Sequence, residues 1–322
     1  MAGKRFKRAS LISIGVLGLV VLWVAAFSVW PTGSGTGAFY SNYEEVMVEE
    51  GSSEDKIAMI NVVGEIFSDP EETFEGASDT NIIGQLDQAL EDDRVAGVIV
   101  NLETPGGTVL ASDAIHSKVV EVRQEGKPVV ALMGDVAASG GYYIASGADE
   151  IVASPYTWTG SIGVIAMLPN FEKAAGKLGV EMAVLKTGPL KDAGSPFRSL
   201  TEQERMLFQT LIDEAYNGFV DVVSRGRRLD PARTRELGDG RIYSGQQAKQ
   251  NGLVDHLGDR NLAFERAKKL AKSPAASLVR YTPTLTLLEE LLQYGVKSGF
   301  SKGLLSEAGI RRQPGAAYLW LP

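Results

Sequence analysis

From Lys56 onward, short unbroken apolar runs alternate with stretches in which apolar residues recur every three or four positions. The runs Ile57–Val63, Val95–Leu102 and Val129–Met133 predict buried strands. Glu150–Ala153 and Val180–Lys186 read as further short strands. Helical spacing appears over Asn81–Leu90, Leu110–Gln124, Tyr142–Ser146, Thr201–Arg225, Gln246–Gln250 and Leu262–Ala271. The longest of these opens on Thr201-x-x-Glu204, a capping box. Its apolar face (Met206, Leu207, Leu211, Ile212, Ala215, Phe219, Val222, Val223) suits a sheet or a second subunit. Strands alternating with helices imply an α/β domain with a mainly parallel sheet and covering helices.

The N-terminus follows a different pattern. Lys4, Arg5, Lys7 and Arg8 precede nineteen uncharged residues, Leu11 to Val29. As a helix this run spans roughly 28 Å, close to the hydrocarbon thickness of a bilayer. No Lys or Arg follows until Lys56, so the basic tip is expected in the cytoplasm and the remainder outside. A cleaved signal peptide ending near Ala26-Phe27-Ser28 is the alternative, but its apolar core is ordinarily shorter. The expected organisation is a cytoplasmic tip and transmembrane anchor over 1–30 and a flexible acidic linker over 31–55. A catalytic domain over 56–285 and a C-terminal extension over 286–322 follow.

Composition narrows the chemistry. The chain has 322 residues, 22% of them charged, with a formal charge of −8 and no basic tract, which argues against a nucleic-acid partner. It has no cysteine, so thiolate nucleophiles, thiolate metal sites and disulfides are excluded. The two histidines, His116 within a helix and His256 in a probable turn, occupy no conspicuous site, so a Ser-His-Asp triad is poorly supported. Ser139 stands between an apolar run and Gly140-Gly141, where a strand turns into a helix and backbone N–H groups can stabilise negative charge. A serine needs a base. A lysine can serve if desolvation holds it neutral. Lys191, in the charge-poor turn sequence Thr187–Phe197, is the candidate, with Asp192 beside it as the objection. Ser161 offers a hydroxyl to orient the amine. Asn101–Gly107 follows a strand and precedes a helix, so one of its free backbone N–H groups could pair with that of Gly140 as an oxyanion hole, although an isolated Pro-Gly-Gly reads first as a structural turn.

Thr104–Gly107, Ala138–Tyr143, Thr159–Val164 and Gly188-x-x-Lys191, in that order behind an apolar N-terminus, resemble the signal peptide peptidase A family (peptidase family S49). These are membrane-anchored bacterial serine proteases of the Clp-protease/crotonase-like fold. The resemblance covers roughly Lys56 to Tyr281, and this chain has Glu103-Thr104 where many relatives place a serine before Pro-Gly-Gly. It implies Ser139 as nucleophile, Lys191 as general base, Ser161 as the lysine-orienting hydroxyl, and Gly107 and Gly140 as oxyanion donors. No metal or cofactor is implied. The implied partners are signal-peptide remnants, membrane lipid around the N-terminal helix, and further copies of the chain in a ring whose neighbours complete each other's sites. The implied location is the bacterial inner membrane, with the catalytic domain on the extracytoplasmic side. A broader membrane quality-control protease, a crotonase-like acyl-thioester enzyme and an inactive scaffold are the alternatives. The apolar tail Tyr318–Leu321 is a candidate self-substrate or regulator.

Overall fold

The structure, a computed structural model, describes residues 43–69, 76–283 and 317–319. The expected anchor, the first part of the linker and most of the C-terminal extension lie outside these residues.

The first part of the described chain runs β1 (Tyr43–Glu49), β2 (Lys56–Val63), β3 (Ile66–Phe67), β4 (Ala77–Ser78), α1 (Asp79–Glu91) and β5 (Val95–Thr104). Next come β6 (Gly106–Thr108), α2 (Val109–Gln124), β7 (Val129–Ala138), α3 (Gly140–Ala145), β8 (Glu150–Ala153) and β9 (Trp158–Gly160). The second half holds α4 (Glu172–Lys177), α5 (Glu202–Arg227), α6 (Pro231–Leu237), β10 (Ile242–Ser244) and α7 (Gly245–Gln250). β11 (His256–Leu257), α8 (Arg260–Ala271), β12 (Ser277–Pro283) and β13 (Ala317–Leu319) complete it.

The main sheet has the order β1-β12-β2-β5-β7-β8-β11, with β9 also pairing β7 and β10. Every pairing from β12 across to β11 is parallel, and only β1 with β12 and β9 with β10 run antiparallel. Side chains alternate across a strand, so each central strand feeds two cores. Ala58, Ile60 and Val62 of β2 meet Leu86 of α1, Ile115 and Val119 of α2 and Phe219 of α5 on one face. Ile57 and Met59, with Ile99, Val130 and Leu132, meet Ala263, Phe264 and Ala267 of α8 on the other. Burial on both faces explains why these strands are unbroken apolar runs in the sequence.

Two expectations need correction. The acidic stretch before Lys56 is not wholly linker: β1 forms an edge strand there, with Tyr43 buried and its hydroxyl donating to Asn81 O, while Glu44 and Glu45 face solvent. Val180–Lys186 forms no strand; it runs exposed and irregular after α4, with its backbone open to solvent. Regular structure also continues through Tyr281 to Pro283, because β12 bridges β1 and β2. The capping box of α5 forms as expected: Glu204 N–H donates to Thr201 Oγ1 (3.2 Å) and Thr201 N–H to Glu204 Oε2 (3.0 Å).

Candidate active site

The second, small sheet sits beside the C-terminal end of β7 and orders its strands β13-β6-β3-β4. β6 carries Gly106 and Gly107, and β3 passes so close that a Cβ at Gly107 would lie 1.8 Å from Ile66 O. Only glycine fits there. Thr104 Oγ1 accepts from Gly106 N–H (3.1 Å), so a threonine hydroxyl fixes this turn. Glu103 is also occupied structurally, its carboxylate accepting from the N–H groups of Asp135 (2.8 Å) and Val136 (3.2 Å) and bracing β5 against β7.

Ser139 ends β7 and caps α3 with φ 55° and ψ −115°. A non-glycine residue in this region costs about 1–3 kcal/mol and persists only where its surroundings enforce it. Here its N–H donates to Gly160 O (2.8 Å) and its carbonyl accepts from Tyr143 N–H (2.9 Å). The side chain is 1% exposed, and Oγ has no hydrogen-bond partner among the described residues. Buried hydroxyls are ordinarily satisfied, so a strained, unpartnered one marks a candidate functional site.

The two expected oxyanion donors come together. A Cβ at Gly140 would lie 3.2 Å from Gly107 N, 3.3 Å from Gly106 Cα and 2.4 Å from Ser112 Oγ. Glycine at 140 thus lets β6 approach the start of α3, placing the Gly107 and Gly140 backbones side by side next to Ser139. Ser161 follows Gly160, whose carbonyl binds Ser139 N–H; it is buried, also at positive φ (50°), and its N–H donates to Arg241 O (2.8 Å).

Lys191 is not brought to Ser139 within the chain. It lies exposed on successive turns (Lys191 N–H to Gly188 O, 3.2 Å; Ser195 N–H to Asp192 O, 3.1 Å), and the Ser139 hydroxyl receives no bond from it. The sequence objection to Lys191 is answered by geometry. Asp192 is engaged by Lys186 (2.6 Å) and Arg198 (2.9 Å), and among the described residues Lys191 makes no ion pair. These partners hold the Asp192 carboxyl well below the usual carboxylate range. The segment that carries Lys191 and the start of α5 leave several large apolar side chains exposed: Ile165, Met167, Leu178, Met182 and Leu185 before it in sequence, and Met206 and Leu211 of α5 after it.

Neither histidine serves Ser139. His116 packs edge-on to Tyr143 and lines a separate cavity of about 470 Å³ with Arg123 and Arg225. Burial pushes it down to about 4, so it is neutral. His256 lies 3.2 Å from Glu150 at the far edge of the sheet. No group of residues suited to a metal occurs among the described residues. Sequence reasoning missed the hydroxyls of Thr108 and Ser112, both buried and unpartnered at the start of α2, with Ser112 packed against Gly140. In sequence they look like ordinary helix-start residues.

A strained serine beneath paired backbone N–H groups on a mostly parallel α/β sheet defines a serine hydrolase site. Comparison with known proteins narrows the class. Residues 121–273, which hold Ser139, Ser161 and Lys191, match the model of peptidase family S49. The chain is 39% identical to "Putative signal peptide peptidase SppA" of Enterococcus faecium, over 76% of this chain and 72% of that protein. It is also 39% identical to Protease 4 of Haemophilus influenzae, over 79% of this chain but only 42% of that longer protein. A chloroplastic serine protease SPPA of Arabidopsis thaliana is 33% identical, over 71% of this chain and 35% of its own length. The chain belongs to peptidase family S49 and is a serine peptidase.

Proposed function

We propose that this protein is a membrane-anchored endopeptidase that uses a Ser139–Lys191 dyad to degrade released signal peptides and similar apolar peptides. The observation that carries the reading is the buried, unpartnered Ser139 hydroxyl, held at φ 55° beside Gly107 and Gly140. Lys191 comes from a neighbouring copy, whose contact with the apolar surface around residues 165–211 both covers that surface and desolvates the amine. Neutral Lys191, oriented by the Ser161 hydroxyl, takes the Ser139 proton as Oγ attacks the scissile carbonyl. The N–H groups of Gly107 and Gly140 hold the tetrahedral oxyanion. Lys191 then protonates the leaving amine, and water, deprotonated by the same lysine, hydrolyses the acyl-enzyme.

The backbone of β13 supports a mode of substrate binding. It adds antiparallel to β6, with Tyr318 opposite Gly107, at the edge where an extended peptide would present its carbonyl to Ser139. The run Leu11–Val29 supports anchoring in the bacterial inner membrane, with the catalytic domain outside, where remnants of exported proteins collect. Signal-peptide substrates are named for the Enterococcus relative, and an apolar substrate suits a site tethered to the bilayer.

Labelling with a serine-directed acylating probe, followed by mapping of the adduct, tests the nucleophile. The adduct is expected on Ser139 alone; modification of another serine with Ser139 free would remove the mechanism.

A further inference from the structure

Two features of the segment between β9 and α5 are at odds with its surroundings. It lacks sheet structure and is largely exposed, yet at its end one guanidinium is held by a dense set of partners. Arg198 Nε donates to Asp192 Oδ2 (3.0 Å) and Nη2 to the Asp192 carbonyl (3.0 Å). Nη1 donates to Glu204 Oε2 (2.8 Å) and to Ser199 O (3.2 Å), and Nη2 reaches Glu204 Oε1. Glu204 is only 1% exposed and is the residue that closes the α5 capping box. Lys186 completes the network by donating to Asp192 Oδ1 (2.6 Å) and Pro189 O (3.1 Å). The turn bearing Lys191 is therefore tied through Arg198 to the first turn of a 26-residue helix, with Lys186 bracing the turn from its other side.

We propose that Arg198 is a positioning residue for Lys191, fixing its turn against α5 and keeping the Asp192 carboxylate off the Lys191 amine. The inference rests on the reading of Lys191 as the base. Asp192 is the next residue, and a free carboxylate there would favour the ammonium form that cannot accept a proton. Arg198 and Lys186 claim that carboxylate. The other acids at this corner are spoken for: Glu204 by Arg198 and Thr201, Glu172 of α4 by the Ser199 hydroxyl (2.8 Å), and Glu202 by Arg205 (3.6 Å). Lys186, Asp192, Arg198 and Glu204 sum to zero charge, so the clamp itself adds no net negative charge beside Lys191. A lysine at 198 would keep the charge but lose the planar fork that grips both carboxylates.

The test measures kcat and KM against pH for the full chain, with a fluorogenic peptide, in Arg198→Gln, Asp192→Asn and the double variant. The acid limb of kcat/KM reports the proton acceptor of the free enzyme. In Arg198→Gln, kcat is expected to fall about tenfold at neutral pH and the acid limb to move up by about one pH unit, with KM little changed. In Arg198→Gln/Asp192→Asn the limb returns to its wild-type position although kcat stays reduced, because the stray carboxylate is gone. A merely structural arginine would lower activity in both variants without moving the limb, and that result overturns the proposal. Should Arg198→Gln fail to fold because Glu204 is left buried and unpaired, Arg198→Lys serves instead, with the same upward shift expected and an unmoved limb counting against. Lys191→Ala separates the two levels. If it retains turnover, the dyad itself is wrong; if it is inactive while the limb never moves, only the role of Arg198 fails.

Discussion

Around Ser139 backbone and side chains are locked: the residue is buried, its N–H and C=O are both bonded, and neighbouring glycines are forced by contacts under 3 Å. The segment around Lys191 in sequence is largely exposed and irregular, and is held by the ion pairs of Arg198 and Lys186 with Asp192 and of Arg198 with Glu204. On the proposed reading, the difference teaches that Ser139 and the backbones of Gly107 and Gly140 are arranged by the fold of a single chain, whereas Lys191 is not brought to them. Strain of about 1–3 kcal/mol at Ser139 can be carried by a closely packed sheet end. An exposed apolar ridge carries no comparable support and is stabilised only by something that covers it.

The comparison breaks first at the reacting atoms. Ser139→Ala and Lys191→Ala are each expected to lower peptide hydrolysis by on the order of 10⁴-fold or more, with melting temperature essentially unchanged. Normal turnover by the lysine variant would remove the proposed base. Gly140→Ala comes next. Its Cβ would press on Ser112 Oγ and Gly107 N, pushing β6 away from α3, so kcat should drop by about 10²-fold. Wild-type kcat in that variant would show that the two N–H groups do not act together.

A smaller effect probes the locked region without touching catalysis. His116 is held neutral with a value of about 4 against an ordinary 6.5. The unfolded chain therefore binds a proton that the native state refuses between these values, and this contribution to stability is lost as pH falls from 6.5 towards 4. The loss amounts to about 3 kcal/mol at most. Urea midpoints followed over that range should slope less in His116→Gln than in the wild type; parallel curves would contradict the burial of a neutral ring. The smallest expected change follows from deleting residues 310–322. Without β13 on β6, KM for a peptide should fall by about twofold with kcat unchanged. Unaltered kinetics and assembly would dismiss a regulatory tail.

The glycine-flanked turn that holds Ser139 was legible in the sequence because it depends on local, short-range rules. Buried parallel strands must be apolar runs, a tight approach must be glycine, and Ser139 sits where both meet. The strand expected at Val180–Lys186 misled for the opposite reason. Its run of apolar, partly β-branched residues (Val180, Met182, Ala183, Val184, Leu185) fits a short strand, but the structure forms no strand there. Apolar residues exposed on one chain and covered by another have the same pattern as a half-buried strand. Arg198 was invisible for a related reason: its partners Asp192 and Glu204 are only six positions away on either side, in a segment with no periodicity to mark a network. Ser112 and Thr108 could not be singled out because hydroxyls at a helix start are ordinary until the structure shows them unsatisfied.

Mixing the two inactive variants addresses the delivery of the base directly. Ser139→Ala and Lys191→Ala chains, dissociated together and reassembled in equal amounts, form some sites with an intact serine from one copy and an intact lysine from its neighbour. Random mixing should restore roughly a quarter of wild-type peptidase activity. Mixtures that assemble fully yet remain as inactive as either variant alone would contradict a lysine supplied across a subunit boundary.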